Sequence, residues 1–114
     1  MIEEKLVKLI DKSNTYIGEP AVDVDNCQWI RFNGGETVIY FGKYTYDQPR
    51  YTIFMRDESN ETACKLADEI YHKLANYTEP HFAIIMLRLP LFVGRDEKYR
   101  SVYSLQIECH LGGY

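Results

Sequence analysis

The spacing of apolar residues switches repeatedly between the helical and the extended period, and the switches divide the chain into elements. Ile2, Leu6, Leu9 and Ile10 share one face of a helix whose other face carries Glu3, Glu4, Lys5 and Lys8. That helix is expected to end near Ser13-Asn14, and Gly18 and Pro20 keep the next stretch irregular, with a short edge strand around Ala21–Val24. Cys27 to Phe32 and Thr37 to Lys43 read as strands joined by Asn33-Gly34-Gly35, residues that tolerate the positive φ angles of tight hairpin turns. Tyr44 to Pro49 reads as a polar, aromatic loop. Arg50 to Met55, rich in aromatic and β-branched residues, reads as a third strand.

Asp57 or Ser59 then caps a second helix, in which Ala63, Leu66, Ala67, Ile70, Tyr71 and Leu74 recur at helical spacing to pack on the sheet. Asn76 to Pro80 breaks it. His81 to Leu89 has a continuous apolar middle, which predicts a central strand buried on both faces. Pro90 interrupts it, and Gly94-Arg95-Asp96-Glu97 makes a turn into a last strand, Ser101 to His110. There Tyr103, Leu105, Ile107 and Cys109 alternate with Ser104, Gln106, Glu108 and His110. The order helix, three strands, helix, two strands predicts one α+β domain over residues 1–114. Its expected form is two-layered, a mainly antiparallel sheet of about five strands with both helices on one face.

Composition narrows the class. With 114 residues the chain can build one hydrophobic core without metal or disulfide staples, and its 46% hydrophobic and 26% charged residues are those of a globular protein. A net charge of −4 argues against a nucleic-acid reader, which needs a basic patch to neutralise phosphates, yet a negative surface leaves a passing duplex free to slide. Cys27, Cys64 and Cys109 cannot all pair within one chain, stand in no metal-ligand spacing and have apolar neighbours, so they read as free thiols of a reducing compartment. The first residues carry acids where a secretory signal carries basic residues, and the longest apolar run, Phe82 to Leu87, is too short to cross a bilayer. The expected location is cytoplasmic, with no membrane contact.

Little in the chain resembles reaction chemistry. Cys109 and His110 are adjacent on a strand and so point to opposite faces, while Cys64 and His72 lie two turns apart on a helix. His72, His81 and His110 have no ligand spacing, and the acid pairs Asp23/Asp25, Asp96/Glu97 and Glu58/Glu61 lack an EF-hand pattern. Gly34-Gly35 is not followed by the helix and Lys-Ser/Thr pair of a phosphate loop. No catalytic residue, metal or cofactor is assigned; a thiol enzyme using Cys64 or Cys109 is the reading from that class. The ten tyrosines are a separate signal, because tyrosine gives large contact area at low entropic cost and is favoured at protein interfaces. Tyr71 and Tyr103 are expected in the core. Tyr44 and Tyr46 divide evenly between interface and packing.

One segment carries a resemblance. Pro90, Gly94, Arg95, Asp96, Glu97 and Arg100 form a P-x-x-x-G-R-D-E-x-x-R pattern that enters the strand SVYSLQIECHL, after a helix reading ETACKLADEIYHKLAN. With the preceding amphipathic helix and β-meander, this resembles the small minor capsid and tail-terminator (head–tail completion) proteins of long-tailed bacteriophages and prophages. The resemblance implies a structural virion subunit assembled in the host cytoplasm. It further implies a ring, commonly a hexamer, that contacts tail-tube or head-connector proteins and lets genome DNA pass. A closed ring joins two different patches of each subunit. Tyr44, Tyr46 and Asp47 on one side and Arg95, Asp96, Glu97 and Arg100 on the other are the expected contributors. A small acidic inhibitor, such as a toxin-immunity protein, is the alternative reading.

Overall fold

The computed structural model of the protein describes residues 2–40 and 44–112, with the side chains of 36–40 and 44–46 outside the description. Helix α1 spans Ile2–Ile10 and is followed by the short strand β1, Thr15–Ile17. Two long strands come next, β2 over Cys27–Tyr40 and β3 over Tyr44–Asp57, and then helix α2 over Asn60–Leu74. The chain closes with β4 (Thr78–Glu79), β5 (Phe82–Met86), β6 (Leu91–Arg95) and β7 (Ser101–Leu111). The strands form one mixed sheet in the order β1-β2-β3-β7-β5-β4, with β6 also paired to β7. It is an α+β fold, with more strands than the sequence predicts and a parallel pairing of β1 with β2 at one end.

Strand alternation builds the core. Ile30 pairs with Ile53, and Ile53 with Leu105, so their side chains share one face together with Tyr51, Met55, Ile107 and Cys109. Leu6 and Ile10 of α1 and Ala67, Ile70 and Leu74 of α2 cover that face, and all five are fully buried. Tyr71 and Tyr103 pack against this cluster from its rim, as their spacing predicts. Helix α2 starts at Ser59, whose hydroxyl accepts the Thr62 N–H at 3.3 Å while its own N–H donates to the Asp57 carboxylate at 2.9 Å. Lys73 ties the two helices by donating to the Ile10 carbonyl at 2.7 Å.

Four expectations are corrected. Asn33-Gly34-Gly35 is no hairpin turn. Strand β2 runs through it, and the positive φ of Gly34 (85°) and Gly35 (142°) serves a register shift between Phe32 and Gly35 against β3. A Cβ on Gly35 would lie 2.2 Å from the Gln48 carbonyl oxygen, so the close approach of the two strands needs glycine there. Strand β3 already pairs with β2 from Tyr44, opposite Tyr40, so Tyr44 to Pro49 is strand and not loop; residues 41–43 of the predicted second strand lie outside the described residues. The edge strand is Thr15–Ile17 rather than Ala21–Val24.

The fourth correction concerns the apolar run at His81 to Leu89. It forms β5 and then a break at Leu87–Pro90, beyond which the chain resumes as β6 along the same edge of β7. The central strands are β3 and β7, and β5 and β6 lie toward the outside. Pairing resumes at Leu91↔Ser104 after Met86↔Ile107, so the chain slips its register around Pro90, which has no N–H for the ladder.

Since Ile53 is fully buried at the centre of the sheet, Ile53→Ala is expected to lower unfolding free energy by about 3 kcal/mol, the usual cost of such a cavity. Urea denaturation followed by circular dichroism would measure it, with an unchanged m-value marking a pure stability effect.

Candidate functional site

The face of the sheet opposite the helices carries the polar chemistry. At one end Trp29 stacks on Phe54 with ring centroids 5.1 Å apart, and the two rings are flanked by guanidinium groups. Arg31 lies 4.9 Å from the Phe54 ring centroid and Arg56 lies 5.2 Å from that of Trp29. Arg56 is almost wholly buried and donates to the carbonyls of Ala21 (3.3 Å) and Val24 (2.5 Å). The irregular stretch before β2 is thereby drawn down over this end of the sheet.

A second arginine holds the same stretch. Arg100 is 1% exposed. Its guanidinium donates to the carbonyls of Val22 (2.7 Å) and Val24 (3.0 Å), to the Asp25 carboxylate (3.2 Å) and, through Nε, to the Asp96 carboxylate (2.8 Å). Asp96 also accepts the backbone N–H groups of Lys98 and Arg100, each at 3.0 Å, which shapes the turn between β6 and β7. Burial alone would raise the Asp96 carboxyl, but the hydrogen bonds from Arg100 and Lys98 together outweigh it and hold the group below its ordinary 3.8.

The candidate contact residues therefore separate. Arg100 and Asp96 are engaged inside the subunit, where a buried guanidinium needs its acceptors. Within the subunit Arg100 leaves almost none of its side chain exposed. Arg95, Glu97 and Asp47 are exposed. Tyr44 and Tyr46 are in β3, paired with Ile39's neighbours Tyr40 and Val38 across the hairpin; their side chains lie outside the described residues.

Toward the other end of the open face, Glu108 joins Arg50 (2.7 Å) and His110 (2.6 Å). The Arg50 hydrogen bond, and then that from His110, hold the Glu108 carboxyl below its ordinary range against the effect of burial. Cys109 points to the helix face, fully buried, and burial first, then the charges of Glu108 and Glu3, pushes its thiol up to about 12. No thiol thus meets the imidazole–carboxylate pair. His72 sits exposed on α2 with Nδ1 2.8 Å from the Asp68 carbonyl oxygen. Among the described residues no three His, Cys, Asp or Glu side chains gather where they could hold a metal ion, and no helix is long and apolar enough to cross a membrane.

The surface feature that sequence reasoning missed is apolar. Ile85, Leu87, Leu91, Phe92 and Val93 are each about half exposed and Leu89 is 70% exposed, all on the outer edge made by β5, the break and β6. Around the corner, at the Gly34-Gly35 bulge, Ile2, Phe32, Pro49 and Leu111 line an open groove of about 370 Å³.

The family model described as bacteriophage tail terminator protein matches residues 5–112. A chain in the solved virion of a native gene transfer agent particle has a similar fold, with a TM-score of 0.61 at 12% identity, over 95% of this chain and 84% of that one. No curated protein sequence matches the chain.

Two outcomes are expected from these positions. Asp96 is held below its ordinary value, so it stabilises the fold above pH 3.8 and that contribution is lost as pH falls through the lower folded value. Asp96→Asn should flatten the acid side of a stability–pH curve relative to wild type, as read by denaturant midpoints between neutral and strongly acidic pH. Cys64 is exposed while Cys27 and Cys109 are buried. A maleimide at neutral pH should therefore modify one thiol in the native chain and three after unfolding, as counted by mass spectrometry.

Proposed function

This chain belongs to the bacteriophage tail terminator proteins, structural components of the phage virion, and we propose that it acts as a ring-forming subunit at the head-proximal end of the tail tube. The observation that carries the reading is the match over nearly the whole chain, residues 5–112, so that all of the fold and not a shared fragment is of this kind. The surface chemistry agrees with a subunit that works by contact. Conspicuous solvent-facing features are apolar edge residues and an exposed charged turn, while the arginine and carboxylate groups nearest to a polar centre are engaged with one another and with backbone carbonyls.

In this reading the exposed residues of the β6–β7 turn, Arg95 and Glu97, meet the side of a neighbouring copy that carries Tyr44, Tyr46 and Asp47. Asp96 and Arg100 act indirectly, by fixing the shape of the turn that presents them. A heterologous contact of this kind closes into a ring, commonly a hexamer in such proteins, and the ring joins tail-tube and head-connector proteins. The net charge of −4 suits a lumen that DNA must cross without being held. Assembly takes place in the host cytoplasm and the product is part of the virion. The family is structural and is not a known family of enzymes.

The test is assembly on tail tubes. Purified wild-type chain mixed with tubes of its own phage is expected to appear as a terminal ring by negative-stain electron microscopy. Arg95→Glu combined with Glu97→Lys should lower the fraction of capped tubes about tenfold with an unchanged circular dichroism spectrum, which in free-energy terms corresponds to about 1.4 kcal/mol at the contact. Tubes left bare by the wild-type chain would remove the terminator role, and equal capping by the double variant would remove the charged turn from the contact.

A further inference from the structure

Two features of this chain are left incomplete by its own fold. The first is the apolar edge. Beyond Ala83, where pairing with β4 ends, no strand among the described residues lies outside β5 or β6. The backbone groups on that side are therefore open to another strand, and Ile85, Leu87, Leu89, Leu91, Phe92 and Val93 surround them in water. Soluble proteins blunt such edges with charge, and here the run from Ile84 to Val93 holds one charged residue, Arg88. Pro90 interrupts the edge without covering it.

The second is an arm. Pairing of β3 with β7 ends at Asp47↔Leu111, and pairing of β1 with β2 ends at Ile30. Among the described residues 36–40 pair only with 44–48, and beyond the Thr37↔Asp47 pair the two strands run on as a two-stranded ribbon on the far side of the Gly34-Gly35 bulge. The molecule is accordingly long, 51 Å against 23 and 22 Å. A two-stranded ribbon is marginal in water unless it lies on something. The arm's sequence, Thr37, Val38, Ile39, Tyr40, Tyr44, Thr45 and Tyr46, is β-branched and aromatic, the composition of a strand that packs.

We propose that the outer edge of β5 and β6, from Ile85 to Val93, receives the β2–β3 arm of a second copy of this chain. Each feature supplies what the other lacks: the edge offers backbone partners and apolar surface, and the arm offers strands of matching composition whose outer edges pair with nothing among the described residues. They lie on opposite sides of the sheet, the arm on β2 and β3 and the edge across β7, so the contact is head to tail and repeats from subunit to subunit. The mode is strand addition to a free edge. The inference rests on the ring-forming reading above and names the surfaces that would close the ring.

Directed cross-linking tests it. In a Cys64→Ser background, one preparation carries Leu89→Cys and the other carries a cysteine at position 37 or 38 of the arm (T37C or V38C). After mixing under assembly conditions, a short bis-maleimide should link the two preparations as a mixed dimer, while L89C alone stays unlinked. In parallel, Leu89→Glu with Leu91→Glu, both at exposed sites, should keep the wild-type melting temperature and sediment as the monomer where wild type sediments as an oligomer. Linkage of L89C to itself, or wild-type-like oligomers from the Glu double variant, would overturn the arm-to-edge contact. Capped tubes that show no link from 37 or 38 to 89 would sink this contact and leave the terminator role standing. A wild-type chain that neither self-associates nor caps tubes would sink both.

Discussion

Strand β7 is the constraint on which the rest of the molecule depends. One of its edges pairs with β3 from Asp47 to Asp57, and the other pairs with β5 along Ile107–Leu111 and with β6 along Ser101–Ser104. It therefore joins the hairpin made early in the chain to the segments made after α2. The fully buried Leu105, Ile107 and Cys109 sit on its helix face, where α2 lies across it. Loss of register in β7 would move these side chains into water and turn the glutamate and histidine of its other face into the core. The sheet can tolerate a slip at Pro90 in its neighbour because β7 itself runs unbroken for its full length.

The open face is organised by a different force. Two buried arginines, Arg56 and Arg100, gather carbonyl oxygens from the irregular stretch Ala21–Val24, where the Val22 side chain is itself exposed. A buried guanidinium is costly unless its donors are satisfied, and the backbone carbonyls with Asp25 and Asp96 take up the Nε and Nη1 donors of Arg100. The same cluster fixes the β6–β7 turn through the side chain of Asp96. A motif that reads as surface charge is in this way partly internal scaffolding. Arg95 and Glu97 on the same segment face outward.

Function in a structural subunit follows from what the fold leaves uncovered. The buried core is ordinary, and Cys109, between Glu108 and His110 in the chain, is turned into it. An apolar edge is uncovered, a two-stranded arm runs past the last pairing with β7, and a groove lies at the base of the arm. They acquire a reason in a chain that belongs to the tail terminator proteins, whose place is among other subunits.

The sequence by itself determined the local elements and the class. The helical spacing of Ala63, Ala67, Ile70 and Leu74 marks α2, the alternation of Leu105 and Ile107 marks β7, and the Gly-Arg-Asp-Glu segment points to the family, because side-chain period and turn chemistry are properties of neighbours in the chain. It misplaced the reversal between β2 and β3, since paired glycines of positive φ serve a bulge as well as a turn. It also assigned the run His81 to Leu89 to the sheet's interior. Periodicity reports that a strand is apolar on both faces and cannot say whether its own subunit covers them. Only the tertiary structure decided that, together with the inward turn of Arg100, because strand order and the reach of a guanidinium across 78 residues to Val22 depend on which distant segments meet.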